Sequence, residues 1–251
     1  NNIFISNLYG IIFPHALSVA DAKNNILLDD GVGTIDIVHR KLKKIQIKNS
    51  MTSKSKKIYY DWLNFKNNTE KYNFTIFTLF DFDFNLPGNK IIKNHYYYLK
   101  DKMNIKKYKE TTNEVFYLGA PYIDQGYLTE NRYIEILKKI KKYYSPLKLI
   151  YIAHKNESSN TLESINNILE VRKLNKPIEL YLLETNMLPN TITSFFSSGL
   201  FFIQSLFGKK IDLEFIYLNI EILEMDKNTK QRYSTIFSYI KKFSDIPLVY
   251  L

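Results

Sequence analysis

Three loops of the sequence carry side chains suited to proton transfer or phosphate binding. Asp81 follows the apolar run Tyr72–Phe80, and His154 follows the apolar run Leu147–Ala153. A carboxylate can accept a proton from a hydroxyl group, and a histidine can donate one to a leaving group. The third loop contains Ser197–Ser198, whose hydroxyl and backbone N–H groups can bind a phosphate if a helix begins there. Together these loops are candidates for acid–base chemistry beside a bound phosphate.

Each candidate also has a simpler structural interpretation. Asp81 can cap a turn at the end of its strand, and His154 can cap the helix that follows it. Serines in a polar turn need no ligand. The remaining histidines show no ligand spacing and are assigned no site: His15, His39 and His95.

Asp81-Phe82-Asp83 also has the form of an Asp-x-Asp motif. Alternation along a strand would put both carboxylates on one side, where they could bind a hard cation such as manganese. The predicted nucleotide-type βαβ segment lies after this motif instead of before it, which disfavours the metal interpretation. We therefore assign no metal site.

The second half of the chain alternates strands with helices. Strands are predicted at Val115–Leu118, Leu147–Ala153, Ile178–Leu183 and Leu213–Ile220. Helices are predicted at Tyr133–Tyr144, Leu162–Leu169 and Thr229–Phe243. This alternation predicts βαβ units on a parallel sheet, with a ligand crevice outside the carboxyl ends of the strands. The residues predicted at those ends are Gly119, His154, Glu184, Ser197 and Ser198.

Two of these residues suggest contacts with a nucleotide. Gly119 has no side chain, so the backbone there can approach a base or ribose. Glu184, at the predicted end of the strand Ile178–Leu183, can accept hydrogen bonds from both ribose hydroxyls. The alternatives are an ordinary turn at Gly119 and a surface charge at Glu184.

The first half is predicted to be an incomplete α/β domain. Its predicted elements are three strands and one helix, at Asn2–Ser6, Asn25–Leu28, Tyr72–Phe80 and Gly10–Ala20. Three strands are too few for a doubly wound domain, because helices must cover both faces of a parallel sheet. We therefore expect residues upstream of Asn1, or a second subunit that completes the sheet. The predicted division is an N-terminal domain at 1–89, a charged linker at 90–113 and a nucleotide domain at 114–251.

The composition predicts a soluble globular protein with a net positive charge. The 251 residues include 35 Lys plus Arg and 25 Asp plus Glu, a net charge of +10, and no cysteine. Disulfides, thiolate metal sites and cysteine nucleophiles are thereby excluded. The charge attracts anionic membranes or nucleic acid, so a non-enzymatic basic domain that binds nucleic acid or anionic glycan is the alternative to an enzyme. The apolar stretch Phe195–Phe207 is too short to span a bilayer. A core helix is the favoured interpretation, and a surface that contacts a membrane or a second subunit is the alternative.

Four motifs, in order and spacing, resemble those of glycosyltransferase family 52, the bacterial lipooligosaccharide and capsule sialyltransferases. Leu28–Thr34 (LDDGVGT) resembles the Asp-Asp-Gly motif, and Tyr117–Pro121 (YLGAP) resembles the glycine turn that opens the nucleotide domain. Tyr151–Lys155 (YIAHK) resembles the His-Pro motif, and Ser194–Gly199 (SFFSSG) resembles the serine-rich phosphate motif. Lys155 departs from the pattern, because it replaces the usual proline. The resemblance covers essentially the whole chain.

The resemblance implies a fold and a reaction. The fold would be GT-B-like, with two Rossmann-like halves. The enzyme would move sialic acid from CMP-sialic acid to a terminal galactoside of lipooligosaccharide or capsule, with inversion and without a metal or other cofactor. It would be cytoplasmic, peripheral on the inner membrane and homodimeric, and it would not bind nucleic acid. A family member that uses another nucleotide sugar is the alternative donor assignment.

The resemblance also implies roles for individual residues. Asp81 would be the general base, and His154 would stabilise the leaving CMP phosphate as a cation or proton donor. Gly119, Ala120, Glu184 and the Ser197–Ser198 pair would bind the donor. Flanking Phe80 and Phe82 could desolvate Asp81 and raise its pKa.

A second acidic segment precedes Asp81 in the sequence. Asp29 and Asp30 would repel a phosphate, so acceptor binding or turn formation is favoured for Asp29, Asp30 and Gly31.

Overall fold

A computed structural model gives the fold of the chain. It describes residues 1–8, 12–20, 22–43, 58, 61, 71–83, 85–102, 110–185 and 187–251. The chain divides into two compact units, Asn1–His95 and Tyr96–Leu251. The boundary between them lies inside the stretch that the sequence predicts as a linker, residues 90–113.

The N-terminal unit contains a parallel sheet of four strands. Its elements are β1 (Asn2–Ile5), α1 (Ile12–Val19), β2 (Asn24–Leu28), α2 (Gly33–Leu42), β3 (Thr75–Thr78) and β4 (Lys90–Lys93). The strand order is β1-β2-β3-β4, and every neighbouring pair is parallel. The three predicted strands and the first helix are confirmed. The prediction of three strands in all is wrong, because Lys90–Lys93 pairs with β3 instead of lying in a linker.

Helix α2 covers the central strands of this sheet. Leu27 of β2, Ile76 of β3 and Ile37 of α2 are fully buried in one apolar cluster. Gly31 has a φ of 55°, a left-handed conformation that favours glycine, in the turn between β2 and α2. The helix is not among the elements that the sequence predicts. Its first half, Gly33 to Val38, is buried on all sides, so packing in the core holds it instead of a single apolar face.

The described residues of the C-terminal unit form a sheet of six parallel strands. Its elements are α3 (Tyr97–Lys102), β5 (Glu110–Leu118), α4 (Glu130–Tyr143), β6 (Lys148–Ile152), α5 (Ser159–Asn166), β7 (Glu170–Arg172), α6 (Ile178–Glu184), β8 (Met187–Ser194), α7 (Gly199–Phe207), β9 (Asp212–Ile216), α8 (Lys227–Phe243) and β10 (Leu248–Val249). The order β10-β9-β8-β5-β6-β7 is parallel at every pairing. The α/β class and the parallel sheets are thus confirmed.

The order of the strands creates a topological switch point at β5. The chain runs from β5 to β6 and β7 on one side, and then returns to place β8, β9 and β10 on the other side. At such a point the loops after the two central strands diverge, and a crevice opens at their carboxyl ends. For this strand order, the expected position of a ligand crevice is beyond the ends of β5 and β8.

One predicted strand is a helix. Ile178–Glu184 forms α6, directly after Pro177, whereas the sequence predicts a strand over Ile178–Leu183. A short apolar run cannot be assigned to strand or buried helix by periodicity alone. Here Leu182 and Leu183 are buried while Leu180 is exposed, which is a one-sided burial pattern.

The apolar stretch around α7 belongs to the core of the C-terminal unit. Leu200, Ile203 and Leu206 are buried, as the sequence predicts for a core helix. Within the described ranges, no helix has both the length and the apolar character needed to cross a membrane.

Candidate active site

Three of the predicted site segments meet at the carboxyl edge of the six-stranded sheet. Gly119 follows β5, His154 follows β6 and Ser197 follows β8. These strands are neighbours in the order β8-β5-β6. Adjacent strands are about 4.8 Å apart, so the ends of β6 and β8 are separated by about 10 Å. That separation suits a phosphate and the sugar attached to it.

His154 is held in one tautomer by its own loop. The backbone N–H of Asn156 donates to His154 Nδ1 at 3.2 Å. Because Nδ1 accepts this bond, the proton of the neutral ring is on Nε2. Burial lowers the pKa of His154, and the charge of Lys155 lowers it further. At pH 7 the ring is therefore mainly a neutral Nε2–H donor, and the cation expected as an alternative is disfavoured.

The Ser194–Gly199 loop is folded by its own hydroxyl groups. Ser194 Oγ accepts the N–H of Ser197 at 3.0 Å, and Ser197 Oγ accepts the N–H of Gly199 at 3.2 Å. Helix α7 begins at Gly199, and Ser198 is its N-cap residue. The loop and the positive end of the helix macrodipole thus meet at the carboxyl edge of the sheet.

Gly119 has a packing role that accounts for the glycine without a ligand. A Cβ atom at this position would lie 2.4 Å from the hydroxyl oxygen of Tyr151. The space left by the missing side chain is therefore filled by Tyr151, and a nucleotide does not need it. Ala120, the next residue, is half-buried and its carbonyl accepts the N–H of Tyr122 at 2.8 Å.

The predicted position of Glu184 at a strand end is wrong, and with it goes the geometric basis for the predicted contact with ribose. Glu184 lies at the end of α6, is exposed and forms an ion pair with Lys176. The carboxylate beside the serine loop is instead Glu179, from the first turn of α6. Its Oε1 lies 3.1 Å from the position that a Cβ of Gly199 would take. Burial raises the pKa of Glu179.

Glu157 is a further carboxylate at this edge that the sequence analysis missed. Its Oε2 accepts the backbone N–H of His154 at 2.6 Å, and its Oε1 accepts the hydroxyl of Tyr151 at 2.5 Å. Burial raises the pKa of Glu157 to about 7, although both hydrogen bonds favour the charged form. A signal was available, because Glu157 lies three residues after His154 and directly before Ser158, the N-cap of α5.

In the N-terminal unit, Asp81 lines a surface cavity of about 440 Å³. The cavity is also lined by Phe82, Asn85 and Lys93. Lys93 forms an ion pair with Asp81, whose side chain is 70% exposed. The expected desolvation of Asp81 by its neighbours is therefore wrong, because Phe80 turns into the core and leaves the carboxylate in solvent.

Asp29 and Asp30 belong to the turn after β2. Asp29 Oδ2 accepts the N–H of Leu79 at 2.7 Å, which ties the end of β2 to the end of β3. Burial raises the pKa of Asp29, and its Oδ1 is buried with no hydrogen-bond partner among the described residues. The N–H of Asp30 donates to Thr34 Oγ1 at 2.9 Å. This geometry fits the predicted alternative of turn formation, with Gly31 at its bend.

The Asp-x-Asp interpretation loses its geometric basis in this fold. Strand β3 ends at Thr78, so Asp81 and Asp83 lie in the following loop and strand alternation does not align them. Over the described part of the chain, no group of three or more histidine or acidic residues is placed to hold a metal ion.

The geometry provides two sets of groups with different chemistry. In the C-terminal unit, the carboxyl edge of the sheet offers a neutral imidazole donor, serine hydroxyls and a helix N-terminus, which together suit a phosphate. The N-terminal unit offers an exposed carboxylate beside a lysine, which suits a hydroxyl-bearing ligand. A comparison of the chain with protein-family models finds no match, and neither does a comparison with curated proteins.

Proposed function

We propose that the chain is an inverting sialyltransferase with two Rossmann-like units of the GT-B type. Its donor is CMP-sialic acid, and its acceptor is a terminal galactoside of a bacterial surface glycan. One observation carries the proposal. His154 and the Ser197–Ser198 loop directly follow β6 and β8, the two strands that flank the switch-point strand β5. The motif resemblance supplies the identity of the donor.

On the donor side, the phosphate of CMP receives hydrogen bonds from the C-terminal unit. The Nε2–H of His154 and the hydroxyls of Ser197 and Ser198 are the donors. Negative charge grows on this phosphate as CMP departs, so these donors stabilise the transition state more than the bound substrate. Glu179 replaces Glu184 as the carboxylate assigned to the ribose hydroxyls, because it lies beside Gly199 at the start of α7.

On the acceptor side, Asp81 is the proposed general base. The acceptor oxygen forms a bond to the anomeric carbon, and its proton passes to Asp81. The bond between that carbon and the phosphate oxygen breaks, and its electron pair leaves with CMP. Lys93 holds Asp81 at the wall of the cavity before the acceptor binds.

This reaction needs no metal ion, since hydrogen bonds can stabilise the negative charge of the leaving phosphate. We also propose that the net charge of +10 gives the enzyme peripheral contact with anionic lipid, where lipid-linked acceptors reside. A homodimer is the proposed assembly.

Thermal unfolding with different nucleotides tests the donor assignment. We expect CMP, at a concentration about 100 times its Kd, to add about 2.7 kcal/mol of stability and raise Tm by roughly 5–10 °C. UDP and GDP should give much smaller rises, and manganese should not increase the effect of CMP. Equal rises with all three nucleotides, or a rise with UDP that needs manganese, would contradict the proposal.

A further inference from the structure

Glu157 holds the loop that carries His154 through three hydrogen bonds. Its two carboxylate oxygens accept the His154 N–H and the Tyr151 hydroxyl, and its own N–H donates to the His154 carbonyl at 3.1 Å. We propose that Glu157 is a positioning residue, which fixes the direction of the His154 ring toward the donor phosphate. The kinetic part of this inference rests on the proposed function, whereas the placement of the ring does not.

The carboxyl group of Glu157 is not needed to form the neighbouring elements. Ser158 caps α5 by accepting the N–H of Thr161 at 3.2 Å, and Asp124 accepts the N–H of Ser158 at 3.3 Å. Burying a carboxylate is unfavourable unless its hydrogen bonds compensate. Both bonds accepted by Glu157 lead to residues of the His154 segment, Tyr151 and His154 itself. Its structural effect is therefore concentrated on that loop.

The same loop also fixes the orientation of the His154 ring. Nδ1 of His154 accepts the N–H of Asn156, which lies between His154 and Glu157 in the turn. If the turn from His154 to Glu157 opens, this N–H moves away from Nδ1. The ring then loses both its fixed direction and its fixed tautomer.

A chain of buried tyrosines holds the other oxygen of Glu157. The hydroxyl oxygens of Tyr151 and Tyr133 are 3.0 Å apart, and those of Tyr133 and Tyr117 are 3.4 Å apart. A carboxylate can only accept hydrogen bonds, so it orients every hydroxyl of the chain toward itself. A protonated Glu157 must donate one bond, and it competes with this arrangement.

The charge state of Glu157 therefore couples pH to the His154 loop. The titratable groups that interact with this carboxyl group are Tyr117, Tyr122, Tyr133, Tyr151 and Asp124, and His154 contacts it through the backbone N–H. The tyrosines stay neutral near pH 7, because burial raises their pKa well above the usual value. Since burial also raises the pKa of Glu157 to about 7, its carboxylate is lost as pH falls through 7. Donor binding should weaken in the same range.

Histidine-ring NMR tests the placement directly, because the chain has only four histidines. In the wild type we expect His154 to show the Nε2–H tautomer. Glu157→Ala should average the two tautomers and shift the His154 resonances. The matched control is Glu163→Ala, which removes an exposed carboxylate from the adjacent helix α5 and should leave the ring unchanged. Unchanged His154 resonances in Glu157→Ala would overturn the inference.

The affinity for CMP separates a positioning role of Glu157 from a role in the stability of the fold alone. Glu157→Ala should raise the Kd for CMP about tenfold, and the double variant with His154→Ala should bind no more weakly than His154→Ala alone. Glu157→Gln keeps the acceptor for the His154 N–H but cannot ionise, so it should lose the change in CMP affinity centred near pH 7 and keep only the change at about pH 6 that the CMP phosphate itself causes. A wild-type pH dependence in Glu157→Gln, or additive effects in the double variant, would refute positioning.

Failure of the Glu157 inference can be distinguished from failure of the proposed function. If Glu157→Ala fails to fold, Glu157→Gln and the wild-type NMR titration supply the test, because the His154 resonances should move with an apparent pKa near 7 only in the wild type. If His154→Ala binds CMP normally, the proposed function fails. The NMR result still decides whether Glu157 places the ring.

Discussion

Replacing Asp81 with asparagine is expected to lower turnover about 10²–10⁴-fold, the usual contribution of a general base. Asparagine has nearly the same size as aspartate, but it cannot take the proton of the acceptor hydroxyl. The Asp81–Lys93 pair is exposed, so its loss should change stability by about 1 kcal/mol or less. CMP affinity should be nearly unchanged. Release of CMP from CMP-sialic acid in the presence of a galactoside measures the turnover.

Three neighbouring aspartates provide matched controls for Asp81→Asn. Asp83→Asn removes a carboxylate from the same loop. Asp29→Asn retains an oxygen that can accept the N–H of Leu79, so the link between β2 and β3 can persist. If Asp81→Asn keeps wild-type turnover, Asp81 is not the base. A selective loss in Asp83→Asn, Asp29→Asn or Asp30→Asn would then move the role to that residue.

Replacing His154 with alanine is expected to weaken both CMP binding and turnover, with turnover lower by about 10²–10³. This pattern differs from that of Asp81→Asn, because the Nε2–H of His154 contacts the phosphate in both the bound substrate and the transition state. Binding calorimetry with CMP and steady-state kinetics measure the two effects.

His95→Ala is the control for this variant, since His95 is exposed and lies outside the proposed site. Equal losses in His95→Ala would indicate a general effect of removing a histidine. If His154→Ala bound CMP with wild-type affinity, the donor phosphate would have to lie elsewhere.

Much of the fold was predictable from periodic apolar residues. The runs that form β5, β6, α4 and α8 are confirmed close to their predicted positions. Each is long or strongly patterned, so local sequence and tertiary packing favour the same structure. The positions of Gly119 and His154 at strand ends follow from these assignments, whereas that of Ser197 depends on β8, which the sequence does not predict.

Other elements lacked such a signal. Strand β8 contains Pro189 and Asn190, which normally mark a turn, yet it is the neighbour of β5 in the sheet. Strand β4 has lysine at both ends and looks like part of a charged linker. The run Ile178–Leu183 is apolar enough for a strand and forms α6 instead. Tertiary packing decides the structure of such short segments.

The errors in the candidate site follow from these elements. The ribose contact predicted for Glu184 depends on a strand that ends before it, whereas Glu184 ends helix α6 and pairs with Lys176. Glu179 is defined by its position beside Gly199, twenty residues later in the chain, which no linear motif shows. Glu157 does have a local signal, because it lies three residues after His154 and directly before the N-cap Ser158. Gly119 has its packing role only because Tyr151 from the next strand lies against it.

The central claim is that the chain transfers sialic acid, and one product analysis tests it most directly. The protein should be incubated with CMP-sialic acid and a lactoside acceptor in the presence of EDTA, and the product examined by NMR. We predict a sialylated galactoside whose anomeric configuration is opposite to that of the donor, with one CMP released per transfer. Absence of this product, together with transfer from a UDP-sugar or GDP-sugar under matched conditions, would contradict the account.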